Sequence, residues 1–112
     1  MLRNDRKQIL IVHNDLNYVG VLSQALYEKG FDALTAASCQ GVVQKAGSLD
    51  IDLILLGDDI QGGTGFEVCQ LLKGSRRTEH IPVILLVTDS KVERRVRGYH
   101  HGADDCMGMD FD

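Results

Sequence analysis

A chain of 112 residues, 44% hydrophobic and 25% charged, has the size and make-up of one globular domain around one core. Its formal net charge of −4 weighs against a nucleic-acid surface, and no stretch approaches the roughly twenty apolar residues of a membrane span. Cys39, Cys69 and Cys106 are an odd, scattered set without a CxxC pair, which speaks against a disulfide scaffold and fits a reducing cytoplasm. Residues 1–7 are polar and lack the apolar centre of a signal peptide.

Residues 8–13 (Gln-Ile-Leu-Ile-Val-His) predict a first strand, its continuous β-branched run suggesting burial on both faces. A helix follows over residues 16–30, with Val19, Leu22, Ala25 and Leu26 on one side and Gly30 as its stop. Residues 31–36 predict a second strand. Ser38 is the expected N-cap of a short helix carrying Val42, Val43 and Ala46. The apolar run 53–56 is a third strand. Thr64-Gly65-Phe66-Glu67 has capping-box spacing and opens a helix with Phe66, Cys69 and Leu72.

Residues 81–87 predict a fourth strand, with Pro82 near its start, where a missing N–H is tolerated. A second capping box at Ser90-Lys91-Val92-Glu93 opens a helix reaching about His101, and residues 103–109 predict a weaker fifth strand. Such alternation calls for a parallel sheet covered by helices on both faces, with active groups at the carboxyl ends of the strands. Those ends carry His13-Asn14-Asp15, Gly57-Asp58-Asp59, Thr88-Asp89 and residues 106–109. No helix is expected after the last strand, so one sheet face is left partly bare. The preferred reading is a single domain, 1–112, cut from the N-terminal part of a longer protein; the other is a partner chain that supplies the cover.

Three further features carry weaker expectations. The basic clusters 73–77 and 94–97 read as solvated helix faces or ends, with a docking patch for an acidic partner as the sharper reading. Gly62-Gly63-Thr64-Gly65 is either a flexible loop or an anion cradle at a helix start. His100-His101 reads as a helix-end pair rather than a metal site.

The blocks Lys7-Gln8-Ile9-Leu10-Ile11-Val12, Asp52-Leu53-Ile54-Leu55-Leu56, Gly65-Phe66-Glu67-Val68-Cys69, His80-Ile81-Pro82-Val83-Ile84 and Gly102-Ala103-Asp104-Asp105 occur together in order. In this the chain resembles the receiver domains of two-component response regulators, of the chemotaxis-regulator type. The resemblance implies an α/β, flavodoxin-like, doubly wound five-stranded parallel sheet of order 2-1-3-4-5, here without the family's last helix.

A working receiver takes a phosphoryl group onto an aspartate at the end of its third strand, which needs a carboxylate nucleophile. Two acids after the first strand help hold Mg²⁺, and a hydroxyl and a lysine steady the phosphoryl oxygens. Carried onto this chain, the acid pair falls on His13 and Asn14, with Asp15 just beyond. The nucleophile falls on Gly57, the hydroxyl on Thr88, the lysine on Met109 and the aromatic switch residue on Cys106. Glycine has nothing to phosphorylate, and methionine cannot donate to a phosphate oxygen. The expected product is therefore a pseudo-receiver: not an enzyme, cytoplasmic, with Mg²⁺ binding lost or weak.

Its partners are expected to be signalling proteins, an attached output domain or a second copy forming a homodimer, with no direct nucleic acid and no membrane. Arg94, Arg95, Arg97 and Tyr99 form the expected contact surface. Two alternatives stand beside this reading. One is a conditional switch phosphorylated at Asp58, which would need a bulge to take over the direction of Gly57. The other is a small-ligand sensor using the vacated pocket near His13, Gly57 and Thr88.

Overall fold

The computed structural model describes residues 6–87, 92–100 and 102–108. In chain order it contains β1 (Lys7–Val12), α1 (Leu16–Glu28), β2 (Phe31–Ala36), α2 (Cys39–Ser48) and β3 (Leu53–Gly57). Then follow the two-residue strands β4 (Asp59–Ile60) and β5 (Gly63–Thr64), α3 (Gly65–Lys73), β6 (Val83–Val87), α4 (Val92–His100) and β7 (Asp105–Gly108). The five long strands form one parallel sheet in the order β2-β1-β3-β6-β7, and β4 and β5 make a separate antiparallel hairpin. Counting only the sheet's own strands, this is the expected flavodoxin-like order 2-1-3-4-5.

Period-two alternation splits each central strand between two faces. Leu10 and Val12 of β1, Ile54 and Leu56 of β3, and Val83 and Leu85 of β6 join Val42 and Ala46 of α2 and Phe66, Cys69 and Leu72 of α3 in one buried cluster. Ile9, Ile11, Leu55 and Leu86 face the other way, against Val19, Tyr18, Leu22 and Leu26 of α1. Each fully buried Leu or Ile contributes about 1.5–3 kcal/mol by leaving water. Ala25 is exposed instead of joining that face. It lies about 100° round the helix from Leu26, outside the stripe that meets the sheet.

Helix ends follow local chemistry. Ser38 Oγ accepts from Gly41 N–H, and Thr64 and Glu67 make the full capping box. Gly30, at φ 98°, takes the left-handed turn after α1 that a side chain would strain. α4 packs on the α2–α3 side, close enough that a Cβ on Gly98 would lie 2.5 Å from Cys106 Sγ and 3.2 Å from Leu85 Cδ1. Among the described residues α1 is the one helix on the opposite face, where Met107 of β7 is exposed. Residues 90 and 91 of the second capping box lie outside the described residues.

Lys73, first residue of the first basic cluster, is an internal staple. Its Nζ donates to Asp104 Oδ2 at 2.7 Å and to the Ile81 carbonyl at 2.8 Å, and the same Oδ2 accepts from Val83 N–H at 2.8 Å. Burial pushes the Asp104 carboxyl up, but the hydrogen bonds from Lys73 and Val83 and the Lys73 charge outweigh it and hold the group below the usual aspartate value. A folded value below the unfolded one means stabilisation that is full above the unfolded value and lost as pH falls through the folded one. Wild type should therefore lose denaturant resistance on acidification more steeply than Asp104→Asn, read as urea midpoints at neutral pH and in acid. Parallel losses would show that the staple adds no pH-dependent stability.

Candidate functional site

The carboxyl ends of β1 and β3 lie side by side, with Val12 paired to Leu56 and Gly57 to Leu86 of β6. His13, Asn14 and Asp15 form the loop that leaves β1, so His13 lies just beyond the strand rather than within it. Its Nδ1 accepts the Asp15 N–H at 2.9 Å, which leaves the ring proton of a neutral imidazole on Nε2. The ring also leans on Tyr18, centroids 4.9 Å apart. Asp15 is the N-cap of α1: its Oδ1 accepts from Asn17 N–H at 3.0 Å and Tyr18 N–H at 3.2 Å. Asn14 reaches across to the other loop, its Nδ2 donating to the Asp59 carbonyl at 2.7 Å.

Gly57 closes β3 with its missing side chain aimed at that loop. A Cβ there would lie 3.0 Å from His13 Cδ2, 3.2 Å from the Val12 carbonyl oxygen and 3.5 Å from Ile60 Cγ2. The imidazole thus occupies the space a side chain at 57 would use, and a small ligand seated there would have to displace it. Asp58 is 4% exposed. Its N–H donates to the Leu86 carbonyl in the same register by which Ile54 N–H meets the Pro82 carbonyl. The ladder therefore runs through without a bulge, and Asp58 faces away from the direction of Gly57.

The segment after β3 is closed on itself. The β4–β5 hairpin turns at Gly62, Cys39 N–H donates to the Gln61 carbonyl at 3.1 Å, and Gly65 N–H donates to the Asp58 carbonyl at 3.0 Å. Thr64 N–H goes to Glu67 Oε1 and Glu67 N–H to Thr64 Oγ1. The Thr64 and Gly65 donors already have partners, so Gly62-Gly63-Thr64-Gly65 is a hairpin running into a capped helix. At the junction, a Cβ on Gly65 would lie 2.0 Å from the Gly57 carbonyl oxygen.

Thr88 and Met109 lie outside the described residues, as do the side chains of Arg94 and Arg95. Cys106 is 2% exposed beneath Gly98. Beside it, Arg97 places its guanidinium 4.4 Å from the Phe66 ring centroid, and Tyr99 Oη donates to Asp105 Oδ1 at 2.9 Å. That hydrogen bond to Asp105 is the main cause raising the Tyr99 phenol above its ordinary value. Val96, Tyr99 and Met107 are exposed on α4 and β7. Burial pushes the Cys69 thiol up to about 11, and burial together with Glu67 raises Cys39, so neither is a primed nucleophile.

A hard divalent cation needs several convergent oxygens. Among the described residues no three His, Cys, Asp or Glu side chains come together to hold one. Asp15 Oδ1 is committed to the helix cap, and Asn14 turns an N–H donor toward the Asp59 carbonyl. An open cleft of about 1030 Å³ lies at the opposite, amino ends of the strands, lined by Lys7, Asp50, Asp52, Arg77 and His80 among others. Its mixed charges converge on no group, and sites in parallel sheets gather at the other end. No helix of the described residues is long and apolar enough to cross a membrane.

Two site features escaped the reading of the sequence. The Asp15 cap had a signal, an Asp immediately before a helical pattern. The Asn14–Asp59 contact had none, since it joins residues 45 apart.

Comparison with known proteins agrees with this architecture. The model of the response regulator receiver domain family matches residues 9–112. The chain is 32% identical over 105 residues to the phosphate regulon transcriptional regulatory protein PhoB of Klebsiella pneumoniae, covering 94% of this chain and 46% of that protein. It is likewise 32% identical over 105 residues to the DNA-binding dual master transcriptional regulator RpaA of Synechocystis sp., covering 94% of this chain and 44% of the relative. The chain thus spans less than half the length of these relatives. Among solved structures, the chemotaxis response regulator CheY4 of Vibrio cholerae superposes with a TM-score of 0.88 at 22% identity, over 96% of this chain and 89% of that one. A two-component response regulator from Clostridium difficile gives 0.86 at 23%, over 96% and 86%.

Proposed function

This chain belongs to the response regulator receiver family, and we propose that it is a member whose signalling does not depend on phosphorylation of its own pocket. Receiver domains are signalling modules of two-component systems. The observation that carries the proposal is Gly57: the residue at the nucleophile's place has no carboxylate, and the His13 ring lies 3.0 Å from where its Cβ would be. Phosphoryl transfer needs an acceptor oxygen and a cation or cationic side chains to gather charge on the phosphoryl group. Gly57, Asn14 and His13 supply neither, and methionine at 109 replaces the lysine that the resemblance implies.

What remains is a rigid scaffold with a surface. In this reading the domain works by protein–protein contact through the exposed side of α4 and β7, where Arg97, Tyr99, Val96 and Met107 lie. Arg94 and Arg95 belong to the same helix and enter the proposal by sequence alone. The partner is a signalling protein, a second copy or an output domain in the same polypeptide, as relatives of more than twice this length suggest. A cytoplasmic location without direct nucleic-acid contact belongs to the same proposal.

The deciding experiment is intact-protein mass spectrometry after incubation with acetyl phosphate and Mg²⁺, beside Asp58→Asn. No phosphoryl adduct is expected on either. An adduct present on wild type and absent from Asp58→Asn would overturn the proposal in favour of a switch operated at Asp58.

A further inference from the structure

Resting on the reading that this pocket no longer takes a phosphoryl group, we propose that His13 and Asn14 close it from within. Asn14 holds the segment between β3 and α3 in one position that no cation is needed to maintain. The argument begins from polarity. The Asp59 carbonyl oxygen faces the β1–α1 loop, where it attracts a positive charge or an N–H. A carboxylate at position 14 would repel that oxygen unless a cation lay between them, whereas the amide of Asn14 supplies the N–H itself, at 2.7 Å. The contact is made by the chain's own side chain.

The rest of the segment is tied in the same cation-free manner. Gln61 is held by the Cys39 N–H at the start of α2, and Asp58 by the Gly65 N–H at the start of α3. With Asn14 these bonds tie residues 58–64 to α2, to α3 and to the β1–α1 loop. His13 completes the closure by lying against Gly57, kept in place by the Asp15 N–H and the Tyr18 ring. The result is a pocket fixed in a single state, whose surroundings do not respond to divalent cations.

The test is amide hydrogen exchange of residues 59–64 in the whole chain, with and without MgCl₂, for wild type, Asn14→Asp and Asn14→Leu. Wild-type exchange should be the same with and without Mg²⁺. Both variants should exchange about two- to tenfold faster in this segment, the size expected for losing one neutral hydrogen bond, while β1 and β3 keep their protection. Slower wild-type exchange on adding Mg²⁺ would overturn the proposal, and so would unchanged segment exchange in both variants. The Mg²⁺ comparison needs no variant and decides even if a substitution loosens the whole fold. An acetyl phosphate adduct would sink the phosphorylation-independent reading without touching this result, and a Mg²⁺-sensitive segment without an adduct would do the reverse.

Discussion

Gly65→Ala should be strongly destabilising. The added carbon would sit 2.0 Å from the Gly57 carbonyl oxygen, 2.9 Å from its carbon and 3.0 Å from Leu85 Cδ2. A side chain can rotate away from a clash; a carbonyl built into the end of a central strand cannot. Helix propensity acts in the opposite sense, since alanine is better than glycine by up to about 1 kcal/mol. That gain is smaller than the roughly 1–3 kcal/mol that overpacking commonly costs, and a backbone contact this short belongs at or beyond the upper end. Gly20 of α1 is the control, because a Cβ there meets nothing within 4 Å. Gly20→Ala should leave the urea midpoint unchanged or raise it, and Gly65→Ala should lower it sharply. Equal midpoints for the two would refute the close approach of α3 to β3.

The second large effect is a coupling. Gly57→Ala alone brings a methyl to 3.0 Å from His13 Cδ2 and 3.2 Å from the Val12 carbonyl, an overpacking cost of about 1–3 kcal/mol from which the roughly 0.5–1 kcal/mol that alanine gains over glycine in a strand is subtracted. In a His13→Ala background one of these obstacles is gone, so the same change should cost less. The difference between the two costs should fall within the roughly 0.5–3 kcal/mol seen for residues in contact. Costs that simply add would mean the ring does not occupy that space. A glycine at 57 and an imidazole at 13 are thus two halves of one packing solution. An aspartate at 57 would meet the same ring.

Most strands and helix ends were legible because their signals are local, whereas the sheet order came only with the family resemblance. Ser38, Thr64 with Glu67, and Gly30 act within a turn of their own positions, and the strand runs of β1, β3 and β6 carry their burial in composition. Failures arose where a residue's role depends on distant neighbours. Ala25 matches the apolar pattern of α1 yet lies outside the arc that meets the sheet. The β4–β5 hairpin is two residues per strand, too short for any periodicity to show. For the site, the sequence pointed to the residues at the strand ends, but their relations came from the fold: His13 against Gly57, Asn14 on Asp59, Asp58 turned inward. Chain pairing across 45 residues brings Asn14 to Asp59, and no spacing rule anticipates it.

The closeness of α4 to β7 has a chemical corollary. Cys106 Sγ has Gly98 directly above it, with room for no further carbon on that side. Converting a thiol to a sulfenic or sulfinic acid adds oxygen atoms, and here they would have to lever the helix off the sheet. Cys69 is fully buried as well. Both thiols are shielded from oxidants by packing, wherever the protein is placed. Their burial therefore describes how tightly this domain is built and carries no information about its compartment.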